Sequence, residues 1–286
     1  MVEIFQLLRI RHYVKNILIV IPLVCSGALV DDMGRLWVLA LAILAFCLVS
    51  SSVYVLNDVI DRENDARHPK KRKRPIACGK VSVSVAVVVA LGLFVVSVAL
   101  GGYVSMHSSI VALVILLLYY ALNISYCFFL KRVPVVEVAV LASGFLLRVL
   151  YGGFATGIEV SSWLYLTVLS ISFYLGLGKR RNEFDRHSSD DTREVLKQYN
   201  RRFLDRNMYM FLALAICFYS LWAMEQGRWA LVSVPIVMVT CMRYSLIVEG
   251  ASDGDPVDVI LGDKVLLALG GLYSCYMVAA LYIDIV

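Results

Sequence analysis

Nine apolar runs, set apart by clusters of charge, glycine and proline, constrain this chain more than any other feature. They fall at 17–30, 36–56, 82–104, 109–130, 135–155, 162–178, 207–224, 230–248 and 265–284. A helix crossing the hydrocarbon core of a bilayer needs roughly 20 apolar residues, and all but the shorter first run approach that length. Sixty per cent of the residues are hydrophobic and 17% charged, against roughly 45–50% and about 25% in soluble domains. With a mean hydropathy of +0.78, such a chain could not stay in water. The expectation is an all-α polytopic membrane protein forming a single integral domain over residues 1–286. A disulfide-stapled scaffold is excluded, because the seven cysteines are scattered through 286 residues with no CxxC and no metal-ligand spacing. They read as small buried hydrophobes or inert thiols.

The placement of Lys and Arg chooses an orientation. With a cytoplasmic N-terminus, the segments on that side (1–16, 57–80, 131–134, 179–206 and 249–264) carry 3, 8, 2, 9 and 1 basic residues. The loops of the other side hold only Arg35 and Arg228, while Arg148 and Arg243 lie within runs. The N-terminus is therefore expected in the cytoplasm and the C-terminus on the opposite side. With the cations so distributed, the net charge of +5 does not point to nucleic acid. Residues 1–16, with Glu3, Arg9, Arg11 and Lys15, read as an amphipathic interfacial lead-in rather than a cleavable signal.

Ionisable residues at the mouths of spans are costly and mark function. Asn57-Asp58-Val59-Ile60-Asp61-Arg62-Glu63-Asn64-Asp65 directly follows an apolar run. If the helix continues, Asn57, Asp61 and Asp65 stack at i, i+4 and i+8, with Asp58 beside Asp61 and Tyr54 one turn below Asp58. Clustered carboxylates repel one another, and a divalent cation relieves that repulsion. Mg²⁺ prefers oxygen ligands and is commonly shared with substrate phosphates. A solvated, charge-balanced loop is the plainer reading of a lone DxxD, but not of this whole string at a helix mouth.

The two prolines and the glycine of Arg67–Lys80 forbid a continuous helix. Most of its cations suit anchoring at anionic headgroups. Arg74-Pro75 differs, since a rigid turn fixes where the guanidinium points, and Lys70 and Arg74 are the candidates to neutralise a leaving diphosphate. A second cluster, Lys179-Arg180-Arg181-Asn182-Glu183-Phe184-Asp185, ends the sixth run on the same side. Its cations outnumber its acids, which suits direct phosphate binding, although Glu183 and Asp185 could ligate a second metal. The stretch onwards to Arg206, including Tyr199, has helical spacing and could cap a cavity. Arg148, central in its run, costs at least about 2.5 kcal/mol on insertion scales. It is expected to meet an anion or wet cavity, or else a structural partner such as Glu137.

Asn57–Asp65, with His68-Pro69-Lys70 and Arg74–Gly79, resembles the first aspartate-rich motif of the UbiA-type intramembrane prenyltransferase superfamily. Arg9–Asn16, Lys131–Val138, Arg148, Ser162-Trp163, Lys179–Glu183 and Asp255-Pro256 are similar to its decaprenyl-phosphate phosphoribosyltransferase branch. The resemblance implies about nine transmembrane helices around a central cavity with a cytoplasmic cap, in a bacterial-type inner membrane. It implies Mg²⁺ held by Asn57, Asp58, Asp61 and Asp65, with Asp58, Asp61, Lys70 and Arg74 as the catalytic group. Lys15, Tyr54, His68, Lys131, Arg148, Lys179, Arg180, Glu183 and Tyr199 would bind substrate. The superfamily's second motif usually carries several aspartates, and the basic Lys179–Glu183 stands in its place. Glu137 is a departure, since the branch tends to have Asp there.

The reaction so implied moves a 5-phosphoribosyl group from phosphoribosyl diphosphate to a polyprenyl phosphate in the membrane, with release of diphosphate. Two rivals use the same charges. A prenyltransferase would act on a polyprenyl diphosphate and an aromatic acceptor. A transporter for a phosphorylated lipid more often shows half-sequence symmetry, and none is apparent. A homo-oligomer is compatible with the sequence.

Overall fold

The computed structural model describes residues 6–27, 33–67, 71–186, 194–250 and 255–282, and among them it is helical with no strand. A 3-10 helix, Ile10–Val20, leads into α1 (Ile21–Cys25). There follow α2 (Met33–Ile60), α3 (Arg62–Arg67), α4 (Val83–Met106), α5 (Ile110–Phe128), α6 (Val136–Thr156) and α7 (Ser162–Arg186). The remainder comprises α8 (Arg201–Gln226), α9 (Arg228–Leu231), α10 (Val234–Glu249), α11 (Pro256–Gly262) and α12 (Lys264–Tyr282). The start signals are local. Ser82, Ser109 and Asn200 each accept a backbone N–H from the first turn of α4, α5 and α8, meeting donors that a helix cannot satisfy internally.

Among the described residues seven helices are long and apolar enough to cross a membrane: α2, α4, α5, α6, α8, α9 with α10, and α12. Two of the nine expected spans do not meet that description. Run 17–30 is not one α-helix, for Ile10–Val20 is 3-10 and the α-helix begins only at Ile21. Pro22 explains the break, because it lacks the N–H that a helix interior needs and fits only a first turn. Helix α7 is long enough at 25 residues, but its serines, tyrosines and charged last turns make it too polar.

The chain divides into two compact units. The first holds the 3-10 helix, α2 to α5 and α6 from Leu147 onwards. Its core joins Phe46, Leu116, Tyr119, Leu147 and Tyr151. Small residues Ala86, Ala90, Ser97 and Gly101 form the buried face of α4. This is how helices pack closely where lipid removes the usual hydrophobic drive. Ser52 donates to the Ala90 carbonyl and Ser97 to that of Ala45, both at 2.8 Å. Gly152 has the tightest fit, since a Cβ there would lie 2.0 Å from the Ile19 carbonyl oxygen. That close approach seats the 3-10 helix against α6.

The second unit holds the first half of α6 and α7 to α12. Val138, Tyr174, Leu204, Met208, Tyr244 and Val248 anchor its core. The rings of Phe173 and Phe211 stack with centroids 4.6 Å apart, and Tyr174 bonds Ser245 at 2.6 Å.

Candidate active site

In the first unit the helix carries on through the acidic string nearly as its spacing predicts. Helix α2 ends at Ile60, Asp61 is a turn, and α3 begins at Arg62. The helical bonds bridge the break, with Asp61 N donating to Asn57 O at 2.9 Å and Asp65 N to Asp61 O at 2.8 Å. Asp58 and Asp65 are buried, and buried carboxylates need partners. Arg74 supplies one, its Nη1 lying 3.1 Å from Asp58 Oδ1 and 2.5 Å from Asp65 Oδ2. The turn that aims it is closed by Arg74 N to Lys71 O at 2.9 Å and Val81 N to Pro75 O at 3.1 Å. Arg9 also donates to Asp58, with its guanidinium carbon 5.2 Å from the Tyr54 ring centroid. Asp61 accepts from Lys131 Nζ at 2.5 Å.

Thus Asp58, Asp61, Asp65, Arg74 and Lys131 come together, and Tyr54 joins them through Arg9, with Asn57 one turn before Asp61. Lys15 lies half-buried in the 3-10 helix. His68 and Lys70 lie outside the described residues. Among the described residues no three acidic, Cys or His groups converge as a preformed metal cage. The donor set nevertheless fits a hard divalent cation. Its groups are carboxylate and amide oxygens, and Asp58 and Asp65 already share one cationic nitrogen.

Arg148 is buried within the same unit. Its Nε donates to Asn16 Oδ1 at 2.8 Å and its Nη2 to the Tyr119 hydroxyl at 3.0 Å. Its guanidinium carbon lies 5.1 Å and 4.9 Å from the Phe46 and Tyr119 ring centroids. Arg148 and Gly152 occupy one face of α6, so the glycine that admits Ile19 also brings Asn16 within reach.

In the second unit, the polar end of α7 splits its consecutive residues between different tasks. Arg180 and Glu137 form a bidentate pair that is 1% and 0% exposed, at 2.7 and 2.6 Å. Glu183, one turn on, accepts from Arg180 Nη1 at 2.5 Å. Lys179 reaches Asp255 at 3.0 Å, while Asp255 also caps α11 by accepting from Val257 N. Arg181 and Asn182 turn elsewhere. Arg181 pairs with Asp205 at 2.6 Å, and Arg181 and Asn182 both donate to the Val248 carbonyl. They fasten α7 to α8 and α10. The Tyr199 hydroxyl accepts from Val135 N–H at 2.6 Å and lies 3.4 Å from Glu137 Oε1. Burial pushes the Tyr199 phenol above its ordinary pKa, so it keeps its proton and can donate to Glu137.

Residues 19–260 match the UbiA prenyltransferase family. The chain belongs to that family. It is a UbiA-family transferase and an integral membrane protein. It is 33% identical to a decaprenyl-phosphate phosphoribosyltransferase of Corynebacterium glutamicum, over 96% of this chain and 86% of that one. It is 36% identical to the enzyme of the same name from Mycobacterium tuberculosis, over 92% and 88%. The fold is that of a UbiA homolog from Archaeoglobus fulgidus bound to DMAPP and Mg²⁺. The two superpose with a TM-score of 0.73 at 17% identity over 97% of this chain and 98% of that one.

Sequence reasoning left Arg9 out of this UbiA site, although Arg9 pairs with Asp58. Its signals were its place in the basic lead-in and in the Arg9–Asn16 string that resembles the phosphoribosyltransferase branch, neither of which gave it a role. Asn16, the last residue of that string, and Tyr119, a polar residue within an apolar run, were likewise given no role, because their partner Arg148 is 132 and 29 residues away in sequence.

Proposed function

We propose that this UbiA-family chain transfers a 5-phosphoribosyl group from phosphoribosyl diphosphate to a polyprenyl phosphate, with Mg²⁺, at the cytoplasmic side of the membrane. The observation that carries the reading is the makeup of the cluster ending α7. Lys179 and Arg180 stand where a prenyl diphosphate enzyme would place further aspartates. Likeness to phosphoribosyltransferases along nearly their whole length supports it. The whole chain is assigned to one membrane domain, with the N-terminus cytoplasmic and the C-terminus opposite.

Asn57, Asp58, Asp61 and Asp65 would hold the cation, which supplies charge neutralisation at the donor diphosphate. Arg74, Arg9 and Lys131, bonded to those carboxylates, are placed to take diphosphate oxygens as negative charge builds on the leaving group. By the family resemblance alone, Lys70 would join them, and Lys15, Tyr54 and His68 would bind the same substrate. As the C1–O bond to diphosphate breaks, an oxygen of the polyprenyl phosphate bonds to C1. The acceptor is already an anion, so no general base is required. Lys179 and Arg180 hold the 5-phosphate or the lipid phosphate, with Glu183 bonded to Arg180 at its half-buried edge. Arg148 orders Asn16 and Tyr119.

Binding tests this reading without turnover. A ligand that prefers the folded state raises the melting temperature by mass action. Phosphoribosyl diphosphate with Mg²⁺ is expected to raise it, and to do so less without the metal. A shift with polyprenyl diphosphate alone would transfer the assignment to prenyl transfer.

A further inference from the structure

Among the described residues only Arg9 and Val135 adopt a positive φ without being glycine. For Arg9, at φ 52 and ψ 47, this is the small left-handed region open to unbranched side chains. Val135 is the true outlier, since a β-branched residue at φ 66 crowds its own backbone. Such a residue persists only where its surroundings over-determine it, and these places gather at functional sites.

Three bonds hold the Val135 turn. Val136 N donates to Pro134 O at 2.7 Å and Ala139 N to Val135 O at 2.9 Å. The third comes from a distant segment, for Val135 N–H donates to the Tyr199 hydroxyl at 2.6 Å. Tyr199 is itself fixed from both sides. Its N–H donates to Leu196 O at 3.2 Å, and its ring stacks on Phe203 with centroids 5.8 Å apart. Two residues beyond Val135, Glu137 enters its bidentate pair with Arg180, and the same Tyr199 hydroxyl faces Glu137 Oε1. One phenol thus meets both the strained turn and the carboxylate that orients the arginine.

We infer that Tyr199 is a positioning residue that clamps the Val135 turn and so fixes the Glu137–Arg180 pair for an anionic substrate. This rests on the phosphoribosyl-transfer reading only in the choice of that substrate. Val135 is 52% exposed, so glycine there removes the strain while giving up little packing, and its N–H can turn to water. The clamp is then no longer needed.

The test compares Tyr199→Phe, Val135→Gly and the double variant, reading KM for phosphoribosyl diphosphate, kcat and melting temperature. Losing one hydrogen bond at this hub corresponds to about a tenfold change. Tyr199→Phe is expected to raise KM about tenfold with kcat held within about threefold. Val135→Gly alone should behave like the parent, and the double variant should recover most of the lost KM and melting temperature. An equal loss in both backgrounds, or a fall in kcat with KM unmoved, would overturn the inference. If Tyr199→Phe does not fold, folding of the double variant supports the clamp and its failure refutes it. Should the parent ignore phosphoribosyl diphosphate, the functional reading fails alone. The melting temperatures of the three variants still decide the clamp.

Discussion

Asp61→Asn is expected to lower turnover by about 10²–10³-fold while leaving the yield of folded protein unchanged. The magnitude is that of removing one preorganised charge-stabilising group from an active site. Asp61 is the informative position because its side chain is 24% exposed and its bond is to Lys131. Asparagine keeps the shape and an acceptor for that lysine, and it removes only the charge that a divalent ion requires. Asp58 is a poorer probe of the same idea. It is 3% exposed and shared by Arg9 and Arg74, so Asp58→Asn should abolish turnover and also weaken the fold. Pyrophosphate release at saturating Mg²⁺ and affinity for Mn²⁺ measured by titration check the prediction together. Parental values of both in the Asp61 variant would remove the metal from this motif.

The second large effect concerns stability. Glu137→Ala strands Arg180, which is 1% exposed and takes both oxygens of Glu137. Removing one partner of a buried ion pair costs about 3–5 kcal/mol, because the remaining charge is left unsolvated. For a chain of this size that corresponds to a drop in melting temperature of roughly 6 °C or more. Glu183 still bonds Arg180 through Nη1, but Nε and Nη2 lose the two oxygens that Glu137 gave them. Glu137→Asp tests the chain length directly. The carboxylate falls one methylene short of the bidentate geometry, and an intermediate loss is expected. A melting temperature within 1–2 °C of the parent for Glu137→Ala (about the effect of half a kilocalorie) would show that the pair contributes little.

What could be read from the sequence was whatever a single segment determines. The stacking of Asn57, Asp61 and Asp65 follows from the period of a helix, and the structure keeps those bonds through the break at Asp61. The aim of Arg74 follows from the proline turn beside it. The runs that became α2, α4, α5 and α6 differ from their expected ends by a few residues, and Ser82 and Ser109 cap the starts of α4 and α5. Pairings across long sequence separations were not legible. Arg180 finds Glu137, 43 residues away, whereas local reading made Glu137 a candidate partner for Arg148. Arg148 instead reaches Asn16, 132 residues away. The strain at Val135 also left no trace in composition, since valine is the residue least expected at a positive φ. Run 17–30 misled for the opposite reason, as its apolar content outweighed the one proline that breaks it.

Phosphoribosyl transfer requires that the donor be a phosphorylated sugar. Purified protein with Mg²⁺ should be offered phosphoribosyl diphosphate with polyprenyl phosphate, and separately polyprenyl diphosphate with an aromatic acid, with pyrophosphate and lipid products followed in each. Pyrophosphate release and a lipid-linked 5-phosphoribose are expected from the first pair, with no turnover of the second. Turnover of the second pair alone would contradict phosphoribosyl transfer.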